Sequence, residues 1–159
     1  MKTTYLPVAT PGEVWAQLTA LRARTIVFDV EPLVAFWDTT QSALEDGIAT
    51  VLASAVDAGP DSVVFATNSA RRPPTSPTVG WATVGYLASA RKPLRVAAFH
   101  DLPRPGVVVG DQVATDGVLA WRLRYAFMHY TPQLPNVPFG PRLMRHVGRP
   151  IRPLLFGNA

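Results

Sequence analysis

Thr25-Ile26-Val27-Phe28-Asp29 runs from a β-branched residue through three large apolar ones and stops on an acid. A strand with one wet face would alternate apolar and polar positions, and this one does not. Its length and β-branched content predict a strand buried on both faces, as in a parallel sheet covered by helices. Ser62-Val63-Val64-Phe65-Ala66-Thr67 repeats the pattern and ends on Thr67-Asn68-Ser69. Val107-Val108-Val109 repeats it again before Gly110-Asp111. Helical spacing fills the intervals. Thr10, Pro11 and Glu13 make a capping-box start, and Val14, Leu18 and Leu21 continue at helical spacing through Arg22. Leu44, Ile48, Val51, Leu52 and Ala55 mark one face of a second helix over 41–58, which Gly59-Pro60 ends. Alternating strands and helices predict an α/β protein: a three-layer, Rossmann-like, mainly parallel sheet with helices on both faces.

The remaining segments carry weaker patterns. The helix at Thr10 is read as the first element. Val84-Gly85-Tyr86-Leu87 reads as a lesser strand, 94–99 as one or two helical turns, 114–123 as a helix and 125–130 as the last strand. Three prolines between Arg71 and Pro77 predict irregular chain. Beyond it, Pro132, Pro135, Pro138, Pro141, Pro150 and Pro153 predict an extended tail with one helical turn near 143–146. The chain therefore divides into an α/β domain over 1–132 and a proline- and arginine-rich tail over 133–159.

The 159 residues are 48% hydrophobic and 16% charged, which fits one globular domain and is too apolar for disorder. Cysteine is absent, so disulfides and Cys-ligated zinc or iron–sulfur sites are excluded. The net charge is +4 and the isoelectric point about 10.0. A value that high points first to a nucleic-acid or acidic-surface partner, but its placement is uneven. All 11 acidic residues lie at or before Asp116, against nine Lys and Arg. After it come Arg122, Arg124, Arg142, Arg145, Arg149 and Arg152 with no acid. The tail is thus the part suited to an anionic membrane surface. Nucleic acid is not expected, because no recognised binding motif accompanies the charge. Thr3, Thr4, Pro7 and Pro11 replace the apolar run of a secretory signal, and no apolar stretch is long enough to span a bilayer. A cytoplasmic protein is expected, with contact to a membrane surface left open.

In an open parallel sheet, ligands bind outside the carboxyl ends of the strands. Three strong strands end there on Asp29, Thr67-Asn68 and Asp111, with Lys92 and Asp116 just beyond strand ends. Taken one at a time, each is an ordinary cap or turn residue. Together they gather carboxylates, a hydroxyl, an amide and one of only two lysines at one edge. His100, His129 and His146 lack ligand-like spacing and read as structural or exposed.

In this order the motifs resemble those of haloacid-dehalogenase-superfamily phosphatases, and in particular the small cap-less YqeG-type group linked to phosphatidylglycerophosphate phosphatases. Ile26 to Val34 sits where such enzymes carry an apolar strand and Asp-x-Asp, and Phe36-Trp37-Asp38 follows as in the YqeG pattern. Phe65 to Ser69 resembles the second motif, Lys92-Pro93 the third, and Gly110-Asp111-Gln112 with Thr115-Asp116 the fourth. The likeness covers about residues 20–132. It implies a magnesium-dependent phosphomonoesterase with Asp29 as nucleophile and an aspartyl-phosphate intermediate. Asp29, the backbone carbonyl of Glu31 and Asp111 would hold Mg²⁺. Lys92 would neutralise phosphoryl oxygens, Thr67 and the chain at Asn68 would bind the phosphoryl group, and Asp116 would orient Lys92 or the metal shell.

Glu31 departs from the family, which carries Asp there as the acid that protonates the leaving group. Pro32-Leu33 also replaces the usual Asn-Thr. One extra methylene moves the carboxyl by about a bond length, and ~1 Å of misplacement can cost on the order of a hundredfold in rate. Two readings follow: a slow or specialised phosphatase, or a scaffold of this type that has lost turnover. The short intervals from Asp29 to Thr67 and from Ser69 to Lys92 leave no room for a large cap domain. An open site suits a bulky phosphorylated substrate such as a lipid head group, with Phe36 and Trp37 either at its entrance or in the core.

Overall fold

In the computed structural model, which describes residues 2–158, seven strands form one all-parallel sheet in the order β4-β3-β2-β5-β6-β1-β7. The chain runs through β1 (Thr3–Val8), α1 (Pro11–Leu21), β2 (Thr25–Asp29), α2 (Gln41–Ala55), β3 (Ser62–Ala66), β4 (Thr83–Leu87), β5 (Gly106–Gly110), α3 (Val118–Leu123), β6 (Ala126–Tyr130), α4 (Phe139–Gly148), α5 (Arg152–Leu155) and β7 (Phe156–Asn158). A π-helical turn, Val113–Gly117, precedes α3. The arrangement is α/β and Rossmann-like, without a large cap domain.

Successive strand residues face opposite sides of the sheet. Ile26, Phe28, Val63, Phe65, Val107 and Val109 point to one side and pack under α1 and α2 through Val14, Leu18, Leu44 and Ile48. Val27, Val64, Val108 and Phe127 point to the other, where Leu119, Ala120 and Leu123 of α3 cover them. β2 is buried along its whole length, as its unbroken apolar run requires. Phe28 and Phe65 stack across β2 and β3 with ring centroids 5.7 Å apart. Burial of each such ring stabilises the fold by roughly 1.5–3 kcal/mol. Helix α1 starts as its residues dictate: the Thr10 hydroxyl accepts from the Glu13 amide, and Arg22 ends the helix in the left-handed region.

Three expectations change. The first element is β1, not α1. Pro7 weakens the strand signal there, but β7 pairs only with Thr3–Tyr5, so Pro7 lies beyond that pairing. The helix expected over 114–123 opens as a π turn. Asp116 and Gly117 both donate their amides to the Gln112 carbonyl, at 2.9 and 3.1 Å. The segment after Pro132 is not an extended tail. It forms α4 and α5 and returns as β7, whose Phe156 stacks on Phe127 at 5.5 Å. Its prolines sit at helix starts and between elements, where they are tolerated. Among the described residues, no helix is long and apolar enough to cross a membrane.

β2 is central. From β2 the chain builds outward to β3 and β4, then crosses to β5 and β6 on the other side, where the earlier β1 and finally β7 complete the sheet. That reversal opens a crevice at the carboxyl ends of β2 and β5.

Candidate active site

Asp29 is the last residue of β2, and Asp111 follows the end of β5. The π turn carries Asp116 back toward the same edge. Oxygens of these three carboxylates lie within 4.8 Å of one another. Gly110 permits this: a Cβ there would sit 2.5 Å from the Asp116 carboxyl carbon. The Gln112 amide donates to the second Asp116 oxygen at 3.2 Å.

Lys92 Nζ donates to Asp29 Oδ1 and Asp116 Oδ1, each at 2.7 Å. It reaches them from a tight connection after β4, in which Ser89 and Arg91 take left-handed backbone angles. The side chain of Asn68 fixes that connection. It accepts from the Lys92 amide at 2.7 Å and donates to the Lys92 carbonyl at 3.0 Å. The Asn68 side-chain amide is thus committed to positioning Lys92, while the expectation of phosphoryl binding concerns the backbone at Asn68.

Burial sets the electrostatics of the cluster. It pushes the Asp29 carboxyl well above the usual carboxylate range, with Asp116 and then Asp111 adding to the rise and Lys92 opposing it. Burial works against the Lys92 charge too, but Asp116 and Asp29 outweigh it and hold the ammonium above its ordinary value. Three carboxylates and one ammonium thus lie together in a largely buried site. Hard carboxylate oxygens gathered this closely can hold a metal ion. The residues therefore suit a metal ion, and Asp116, expected in a supporting role, belongs to the oxygen cluster itself.

Glu31 follows a different course. One carboxylate oxygen accepts from the Thr67 hydroxyl at 2.8 Å, and the other meets Arg71 at 3.3 Å. Arg71 also donates to the Phe36 carbonyl at 2.7 Å and to the Thr39 carbonyl and hydroxyl at 3.1 and 2.7 Å. It ties the loop after β2 to the loop after β3. Its own carbonyl accepts from Tyr86, whose hydroxyl is pushed up to about 12 by burial, with the Glu31 charge as the next cause. From the sequence, Arg71 reads either as a contact for a substrate phosphate or as part of a solvated loop. Its place two residues after Ser69 was the available signal, but which acid it meets is a tertiary fact.

Asp29, Glu31, Thr67, Asn68, Lys92 and Arg71 line a cleft of about 160 Å³, with Trp37 at its wall. The structure brings together every site residue expected from the sequence. It adds His129, whose Nε2–H donates to the Asp111 carbonyl at 3.0 Å while Nδ1 accepts from Tyr5 at 2.6 Å. This couple holds the chain at Asp111 from β6 and β1. No family model, curated protein or solved structure matches the chain.

Proposed function

We propose that this chain is a magnesium-dependent phosphomonoesterase that works through an aspartyl-phosphate on Asp29. The observation that carries the reading is Lys92, buried and shared between two of three clustered carboxylates at the topological crevice. A structural ion pair needs one carboxylate. Here one ammonium meets two carboxylates with a third within 4.8 Å, an oxygen cluster suited to a further cation. The motif order along the chain and its resemblance to haloacid-dehalogenase-type phosphatases support the same assignment.

Asp29 and Asp111, with Asp116 beside them and the Glu31 carbonyl as the remaining expected ligand, would hold the ion. Bound there, Mg²⁺ supplies charge neutralisation for phosphoryl oxygens. An oxygen of Asp29 attacks phosphorus, the P–O bond to the leaving alcohol breaks, and the alkoxide takes a proton. Lys92 offsets the negative charge of the phosphoryl group during the transfer. Water then attacks the aspartyl-phosphate, loses its proton, and releases inorganic phosphate with Asp29 restored. Glu31 is the acid and base for the two proton transfers. The absence of a cap and the open cleft fit a bulky phosphate, with phosphatidylglycerophosphate as the substrate suggested by the resemblance.

A second reading has one observation in its favour. Both oxygens of Glu31 are engaged, by Thr67 and Arg71, so turnover requires the carboxyl to exchange those partners for the leaving group. A chain in which it does not is a binding scaffold. Release of phosphate from an aryl phosphate, with and without Mg²⁺, separates the two. Metal-dependent turnover that Asp29→Asn abolishes is expected. No metal-dependent turnover, or turnover that survives Asp29→Asn, overturns the catalytic reading.

A further inference from the structure

Helix α4 turns one face to the body and an apolar stripe outward, with arginines on it and on the segment that follows. Pro141, Met144 and Gly148, spaced three and four apart, share the face turned to the body. Gly148 is buried there, and a Cβ on it would meet Val113 at 2.7 Å. Phe139, Leu143 and Val147 are each four residues apart and form a second stripe, 78%, 50% and 50% exposed. Leu154 of α5 is another exposed apolar side chain, at 73%. Arg142, Arg149 and Arg152 are also exposed and form no ion pair among the described residues.

An apolar stripe held outward along a short helix is costly in water and marks a contact surface. The charge beside it identifies the contact. No acidic residue follows Asp116, so α4 and its flanks carry arginine without acid, and the acid that shares a groove with Arg142 is Asp38 of the loop after β2. A protein partner would have to bring acids in register. An anionic bilayer offers a continuous negative plane over an apolar interior and matches both features at once.

The position of α4 fits the same partner. A groove of about 480 Å³ runs from Val137, just before α4, and Arg142, in its first turn, past Leu134 to Phe36, Trp37 and Asp38. Trp37 also lines the cleft that holds Asp29 and Lys92. We infer that α4 is a docking surface for anionic membranes, lying in the interface with Phe139, Leu143 and Val147 among the acyl chains and the arginines at the head groups. Docked in this way, α4 brings the groove leading to the cleft toward the lipid surface. The inference rests on α4 and its flanks alone, and it stands or falls by binding, whatever the cleft does chemically.

The test is co-sedimentation of the full chain with vesicles of phosphatidylcholine alone and of phosphatidylcholine mixed with phosphatidylserine. The chain should partition onto the mixed vesicles, and added salt should weaken it. Phe139→Ser with Leu143→Ser should weaken partitioning about tenfold or more. Both side chains are exposed, so thermal melting should not change. Arg142→Gln and Arg149→Gln should each weaken it roughly fivefold on the mixed vesicles. These two variants keep the test decisive if the serine pair alters folding. Absence of partitioning, equal partitioning onto both vesicle types, or partitioning that all these substitutions leave unchanged overturns the inference. So does a concentration-dependent dimer that the serine substitutions dissolve, because the face would then belong to a second copy of the chain.

Discussion

Two lysines occur in the chain, and only Lys92 is placed among carboxylates inside the body. Removing one member of a buried charge cluster leaves the others uncompensated, at a cost of about 3–5 kcal/mol. Lys92→Ala should therefore lower the denaturation midpoint strongly in metal-free buffer, and Mg²⁺ should recover part of the loss. Asp29→Asn should do the opposite. Its carboxyl is raised by burial and like charge, so ionising it in the folded state is unfavourable. The unfolded chain loses that proton near pH ~3.9. Without metal, Asp29 therefore costs stability progressively as pH rises from that value through its raised folded value. Melting curves of wild type and Asp29→Asn should coincide in acid and diverge toward neutral pH, with the variant the more stable. A constant gap would show that the carboxylates do not repel. The Lys92 ammonium is raised as well, so its contribution is complete below about pH 10.4 and is lost only as pH climbs through its folded value.

At the scale of elements, the site depends on joints between loops as much as on the strands. Arg71 joins the loop after β2 to the loop after β3 through Glu31, Phe36 and Thr39. Arg71→Gln should destabilise the fold by about 1–3 kcal/mol, since several partly buried acceptors lose their donor. In the same variant Glu31 loses its guanidinium partner, so the pH profile of any phosphate release should shift along with the melting point. A purely structural joint would move the melting point alone. The π turn depends on Gly110 in a similar way. Gly110→Ala drives a methyl group into the Asp116 carboxyl, at 2.5 Å. It should abolish Mg²⁺-dependent stabilisation, read as the melting shift with and without the ion, even where the fold survives.

For the whole molecule, two consequences follow. A cation that binds only the folded chain stabilises it by mass action, about 2.7 kcal/mol at a hundredfold excess over Kd. Mg²⁺ should raise the melting temperature by several degrees, and Asp111→Asn should remove most of that rise. The second consequence concerns the C-terminal segment. Phe156 is buried against Tyr5 and Phe127, so Phe156→Ala should cost about 3–5 kcal/mol in chemical denaturation. A change near zero would mean that β7 is dispensable and that the domain ends near residue 132 after all.

The sequence by itself determined the sheet and most of its edge. Unbroken apolar runs at 25–29, 62–66 and 107–109 leave few options but buried parallel strands, and each run ends on a residue of the cleft. Local rules suffice for this, because burial on both faces is written into every residue of such a strand. They suffice for the start of α1 as well, since a cap needs only neighbours in the chain. Only the tertiary structure decided what depends on distant partners. β1 was hidden by Pro7 and exists through its pairing with β6. The C-terminal segment looked like a proline-rich tail and becomes α4, α5 and β7 once β1 offers it an edge. Glu31 was legible as an acid, but its engagement with Thr67 and Arg71 is set by a loop forty residues away. The same holds for Asp116, whose sequence position and motif place it near the cleft without placing its carboxylate beside Asp29 and Asp111. Folding the chain back through a π turn makes it the third carboxylate, because electrostatics acts through space while sequence order records only the path between charges.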